Sequence, residues 1–590
     1  AKDTKEDGKE KKALPLNKNT YQRELTLKPD TTSTITHGKK SKRIIVTAKT
    51  ADGKPYDVKY KVIDENKILI KNLDTIKIKL SVVPKEPLDK QWWYSPAQHA
   101  ARFLMMVRSV GISYRNQYSM TLPGFMPNIG DAFGQQTGNV MAPGLDFAFG
   151  LTGDSYLQKA YENNWLLNND SVATPATTNA SEDLQIRMTL EPLRDLKIDL
   201  NASRTVTKAR SIQYMYSGMP TTQSGTFTMT TISLKSALEG MGDANNGYKS
   251  KSFETFCNSI DGFRDRVQAQ YANARYPNGM RDANGIDLSG CEYNPQLGQV
   301  NKYSADVLIP AFLSAYTSGA GSSLDIFPTL KRLLPNWTIK YSGLGKLPWL
   351  RDHFKSVNLN HSYKSVYAVG SYASYSTYQE YMNGLGFITD ATTSNPVPNS
   401  MYNVSTVSIN EAFSPLLGLD FTLQNNLTCK VEYRTTRVLN LSMTSVQINE
   451  ALSKDWVIGL GYKISDFKLF GSKSSRKIKG AQSGKNNKNN QQQTTQTRGR
   501  GGVNHDLNLR LDISYRKQAA ITRDIASMTS AASSGNSAFK MSFMADYTLS
   551  RLLTLSAYYD RQTNTPLLSS SSYPTTTQDF GVSLKFSLTR

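Results

Sequence analysis

No stretch of this chain is long and apolar enough to cross a membrane as a helix. The candidate stretch at 101–107 is far short of the roughly 20 residues such a helix needs. That excludes helical membrane proteins, not membrane β-barrels. Half of each barrel strand faces water, so a mean hydropathy of -0.46 is compatible with one. Cysteine is scarce as well: three residues cannot build a disulfide framework. Cys257 and Cys291 fall in one long interruption and are a candidate disulfide in an oxidising compartment, whereas Cys429 sits in a strand.

Catalytic patterns are missing too. The five histidines (His37, His99, His353, His361, His505) are scattered without metal spacing, and neither Cys-x-x-Cys nor HExxH occurs. No catalytic residue, metal ligand or cofactor is assigned, and the chain does not read as an enzyme. Two Gly-x-Gly pairs, Gly343/Gly345 and Gly459/Gly461, do not open a helix after a buried strand and read as strand glycines.

Acid is under-represented: 70 Lys+Arg stand against 48 Asp+Glu, a formal charge of +22. The extreme is 468–502, which has cations from Lys468 to Arg500, many Asn and Gln, and no acid. Its Arg498–Gly502 string resembles RNA-binding RGG segments, but with Phe470 as its one aromatic it lacks the stacking platform nucleic acid requires. No nucleic-acid partner is expected. A solvated basic periplasmic loop (467–505), drawn to anionic headgroups or an acidic partner, is the reading.

What the chain has in quantity is alternation. Phe580, Val582, Leu584, Phe586 and Leu588 alternate with polar residues over the last stretch, and Phe539 to Leu549 do the same upstream. A two-residue period puts apolar side chains on one face of a strand and polar ones on the other. Strands of about ten residues suit a bilayer crossing. On this pattern Asn508, Arg510, Asp512, Ser514, Arg516, Lys540, Asp546 and Lys585 are predicted to face a wet lumen, or to form cross-strand ion pairs there. Trp456, Tyr462, Tyr515, Tyr547, Tyr559 and Phe586 are predicted to face lipid or form an aromatic girdle.

The predicted organisation is a charged linker over 1–20, a small periplasmic β-domain over 21–90 and an amphipathic helix over 91–108. Barrel strands follow over 109–234, the first pair being 110–120 and 145–151. A long insertion with helical pieces at 253–274 and 305–317 occupies 235–335, and reads as a lid, a constriction or a partner site. Barrel strands resume over 336–590. About fourteen strands are predicted, an even number. With the C-terminus in the periplasm, that count places the tight turn at Glu191-Pro192 outside, against the rule that periplasmic turns are the short ones.

Several strings resemble the SprA/Sov family: LPNWTIKYSGL (334–344), VNLNHSYKS (357–365), ARFLMMV (101–107) with ISY (112–114), FSPL (413–416) and VIGLGY (457–462). The resemblance implies the outer-membrane translocon of the type IX secretion system, a very large antiparallel β-barrel passing folded cargo proteins that carry C-terminal signal domains. It implies as partners a PorV-type shuttle barrel at a lateral opening, a periplasmic plug protein, other type IX secretion components and outer-membrane lipids. Family members are far longer, so this chain, opening without an initiator Met, is expected to be the C-terminal part of such a barrel. A smaller independent channel or nutrient transporter, and a soluble basic β-rich binding protein, are the alternatives.

Overall fold

The computed structural model describes residues 20–29, 31–71, 75–84, 105–127, 142–150, 155–167, 174–213, 221–465, 467, 506–550, 552–568 and 573–587. The charged lead, the basic loop at 468–505 and most of the predicted amphipathic helix lie outside them. Two units separate between Leu104 and Met105.

The first unit holds seven short strands: β1 (Tyr21–Leu27), β2 (Thr32–Thr36), β3 (Ile44–Thr50), β4 (Pro55–Tyr56), β5 (Tyr60–Val62), β6 (Lys67–Lys71) and β7 (Ile76–Pro84). They form two antiparallel sheets, β1-β7-β3-β4 and β2-β6-β5. Their inward residues, among them Ile35, Ile68, Ile70, Leu80 and Val82, make one core. Gly53 takes φ 77° in the β3–β4 turn, a conformation glycine adopts without strain.

The second unit is dominated by one antiparallel sheet. Its strands are β8 (Val107–Thr121), β9 (Ala176–Leu193), β10 (Leu196–Ile212), β11 (Thr222–Thr230), β12 (Asn336–Tyr341), β13 (Phe354–Ser374), β17 (Tyr402–Leu423), β18 (Leu427–Ser442), β19 (Gln447–Ile464), β20 (Leu507–Asp524), β21 (Thr529–Thr548), β22 (Leu553–Pro566) and β23 (Thr575–Phe586). The intervening β14 (Gln379–Met382), β15 (Leu385–Thr389) and β16 (Pro396–Asn399) form a small sheet of their own. Three helices stand out: α1 (Ser155–Glu162), α2 (Lys251–Ala269) and α3 (Ala305–Tyr316).

β11 and β12 both lie between β10 and β13. β11 pairs with Arg204–Ser211 of β10 and β12 with Leu196–Asn201. They are two halves of one strand, interrupted at its middle by 231–335. Thirteen strands therefore fill twelve positions. Buried backbone groups opposite the break need partners. Ser365 N–H donates to Asn336 Oδ1 (2.8 Å) and Thr231 N–H to Ser365 O (3.1 Å). Across the gap, Ser203 N–H donates to Thr230 Oγ1 (3.1 Å).

The split strand corrects the count of fourteen and removes its difficulty. The β9–β10 turn, which falls at Arg194-Asp195 rather than Glu191-Pro192, now lies at the same end as the tight turns 424–426 and 549–552. β23 also ends there. Two further expectations fail. The predicted strand at 145–151 is a single helical turn, Leu145–Ala148. Gly343 and Gly345 sit in a 3-10 turn after β12, whereas Gly459 and Gly461 are strand glycines in β19.

Candidate functional site

Unbroken register from β18 to β20, and from β21 to β23, assigns every side chain to one of two faces. One face, over the half of the strands near the 424–426 turn, is an apolar band. It includes Val431 and Tyr433 of β18, Trp456, Ile458, Leu460 and Tyr462 of β19, and Leu509, Leu511, Ile513 and Tyr515 of β20. On β21 to β23 it continues through Phe539, Phe543, Tyr547, Tyr559, Phe580 and Phe586. Trp456, Tyr462, Tyr515, Tyr547, Tyr559 and Phe586 all lie on it. Ile112 at one end is 68% exposed and Phe580 at the other 82%, and Trp456, Tyr515 and Phe543 between them are exposed as well, whereas Tyr547 is buried. So large an apolar surface is not stable against water and needs an apolar environment.

Aromatic rows bound the band. Trp337, Tyr363 and Phe413 follow one another across β12, β13 and β17, with ring centroids 4.5 and 4.8 Å apart. Tyr433, Trp456, Tyr515 and Phe539 continue the row in register over β18 to β21, the first two 4.6 Å apart. A second row, Phe354, Phe421, Tyr462 and Tyr547, lies near the 424–426 end. From Phe539 to Tyr547 the strand rises about 26 Å, at about 3.3 Å per residue.

The opposite face is polar and carries both signs. Asn508, Arg510, Asp512, Ser514 and Arg516 share it with Lys540, Asp546 and Lys585. Some of these charges are paired: Arg516 with Asp455 across the strands at 2.9 Å, and Arg510 with Asp512 at 3.7 Å. Glu432 is held by Lys430 at 2.8 Å and by Arg434. Asn358, Asp420, Lys430, Arg510 and Asp512 line a polar depression of about 370 Å³. Gly461 keeps it open, since a Cβ there would lie 2.6 Å from Thr428 Oγ1.

The insertion leaves from mid-strand and docks on the banded face, beyond the aromatic row. α3 is apolar on all sides and almost wholly buried, as a helix of that composition must be. With α2 it packs on Phe227, Tyr367, Val407, Ile409, Leu439 and Ile448. It packs on the banded face and does not cover the polar one.

Beneath it lies an ion network that alternation did not reveal. Glu450 of β19 accepts from Arg437 Nε of β18 and Arg523 Nε of β20, each at 2.6 Å. Each arginine also donates through Nη1 to an insertion carbonyl, Ser236 O or Tyr248 O, at 2.6 Å. Nearer the break, Glu411 of β17 accepts from Tyr363 Oη and Ser233 Oγ, both at 2.7 Å. Within the insertion, burial pushes Glu239 up, but hydrogen bonds from Ser252 and the charge of Arg437 outweigh it and hold the carboxyl below its usual range. Burial raises Asp306, whose Oδ1 has no partner among the described residues.

The Cys257–Cys291 disulfide does not form. Cys257 points into the α2 core, where burial pushes its thiol up to about 11, while Cys291 is exposed in a turn. Among the described residues no cluster of His, Cys, Asp or Glu could hold a metal.

No family model matches the sequence, and no curated protein does. Weak structural similarity links the chain to outer-membrane β-barrel proteins. The β-domain of the Bordetella autotransporter BrkA is 8% identical over 70% of this chain and 92% of its own, with a TM-score of 0.18. OmpT, an outer membrane protein of Vibrio cholerae, is 9% identical over 69% and 89%, with a TM-score of 0.17. An anion-selective porin from Comamonas acidovorans is 9% identical over 66% and 82%, with a TM-score of 0.10.

Proposed function

We propose that the sheet is part of the wall of a protein-conducting outer-membrane barrel, a type IX secretion translocon of the SprA/Sov kind. The observation that carries this is the two-faced sheet: an apolar band between aromatic rows, backed by a mixed-charge polar face. Such a wall has lipid outside and water inside, and the band's height suits the thin outer membrane. The tight-turn end would be periplasmic, and the insertion would lie outside the barrel above the outer leaflet.

Two features support a barrel larger than this sheet. Among the described residues, β8 pairs only with β9 and β23 only with β22. Long bare edges of this kind invite further strands. Three of the strings that resemble the family, 334–344, 357–365 and 413–416, meet where Trp337, Tyr363 and Phe413 stack at the strand break. A wide wet lumen would conduct passively, with direction set by partners that capture cargo, a shuttle barrel and a plug among them.

The test is site-specific photo-crosslinking in cells, followed by mass spectrometry of the complex in mild detergent. A crosslinker at Asp512 is expected to trap secreted proteins in transit, and one at Leu511 is not. Recovery of a free-standing barrel that traps no protein at Asp512 and passes only small solutes would replace the translocon with a small channel.

A further inference from the structure

We infer that Lys454 and Lys517 form a binding site for the phosphate of a net-anionic membrane lipid, at the rim where the insertion meets the apolar band. This rests on the banded face being lipid-facing, as proposed above. The two lysines are direct cross-strand partners on that face, one step beyond the Trp456/Tyr515 pair of the aromatic row. Lys517 is exposed and Lys454 half-buried.

Like charges directly opposite each other destabilise a sheet, so the pair calls for an anion between its ammonium groups. Strands β18 to β23 offer none beside the pair on that face. Among the described residues, the single acid on the banded face of β18 to β23 is Glu450, and both its oxygens are taken by Arg437 and Arg523. The face thus runs from apolar through aromatic to cationic, the sequence in which a lipid presents chains, interface and phosphate. The lysine stems can lie along the rings while the ammonium groups reach the headgroup level.

The probes are phosphatidylglycerol and phosphatidylcholine with brominated chains, in bilayers holding the complete protein. Quenching of Trp456 is isolated as the difference between wild type and Trp456→Phe. Phosphatidylglycerol is expected to be preferred at Trp456 by about thirtyfold, since two lysines near a surface contribute about 1 kcal/mol each toward anionic lipid. Lys454→Gln with Lys517→Gln should bring the ratio close to one and leave phosphatidylcholine quenching unchanged. A wild-type ratio near one, or a ratio the double variant does not alter, would make the lysines plain interfacial anchors and end the proposal. Loss of the preference in millimolar inorganic phosphate would overturn the lipid as ligand in favour of free phosphate. Absence of quenching by either lipid would sink the lipid-facing assignment itself.

Discussion

Two guanidinium groups share one carboxylate beneath the insertion, and both reach past it to insertion carbonyls. Glu450 is therefore a tether as well as a counter-ion: without it Arg523 is left buried and uncompensated, and Arg437 keeps only the more distant Glu239, at 3.9 Å. Removing one partner of a buried pair costs about 3–5 kcal/mol. Glu450→Ala is expected to lower stability by that amount and to expose α2 and α3 to protease and hydrogen exchange before the sheet melts. Retained protection of both helices in the variant would show that apolar packing alone holds the insertion. Asp306 works in the opposite sense. Its folded-state pKa is raised, so the unfolded chain ionises first as pH climbs, and stability falls from the ordinary carboxylate range upward until the buried group itself ionises. Asp306→Asn removes that loss. Hydrogen exchange of α3 should show a gain at neutral pH that vanishes below about pH 3, where the carboxyl is neutral in both states. A gain of equal size at both pH values would mean that the side-chain amide, not the lost charge, is responsible.

The split strand shows what periodicity can and cannot deliver for an element. Strands ending near 234 and resuming near 336 are legible, but two collinear halves separated by an insertion look like two strands, and only their shared partners β10 and β13 reveal one. The band was legible for the same reason that its continuation was not. β19 begins at Gln447, ahead of the alternation that starts at Trp456, and β20 reaches Asp524, past the alternation that ends at Arg516. The missed portions put Glu450 and Arg523 among Ile448, Leu452 and Ile521 on the face that is apolar elsewhere, which breaks the alternation wherever the burying partner is distant in sequence. The break itself makes a prediction. Asn336 Oδ1 is the acceptor for Ser365 N–H, and a buried donor left unpaired costs about 1–3 kcal/mol. Asn336→Leu should cost that much in chemical denaturation, whereas Asn336→Asp, which keeps the oxygen, should recover most of it. Equal losses in both would assign the cost to packing around Trp337 instead.

At the scale of the whole sheet, the membrane reading separates from a soluble β-rich one through neighbours in sequence that occupy opposite faces. Leu511 stands midway along β20 between Tyr515 and Leu507, at the centre of the band, and Asp512 beside it lines the polar depression. An arginine at the centre of a lipid-facing band costs about 2–4 kcal/mol, whereas a lumen position tolerates charge and changes only what passes. Leu511→Arg is therefore expected to cut the folded yield in membranes and to lower stability in bilayers by that amount. Asp512→Arg should fold normally, apart from losing the local pairing with Arg510. In water the asymmetry would disappear. A soluble protein would accept Leu511→Arg on an exposed face at little cost, and both variants would stay soluble without detergent. Equal tolerance of the two substitutions in detergent-free buffer would reject the barrel, because the band would then have no apolar phase to meet.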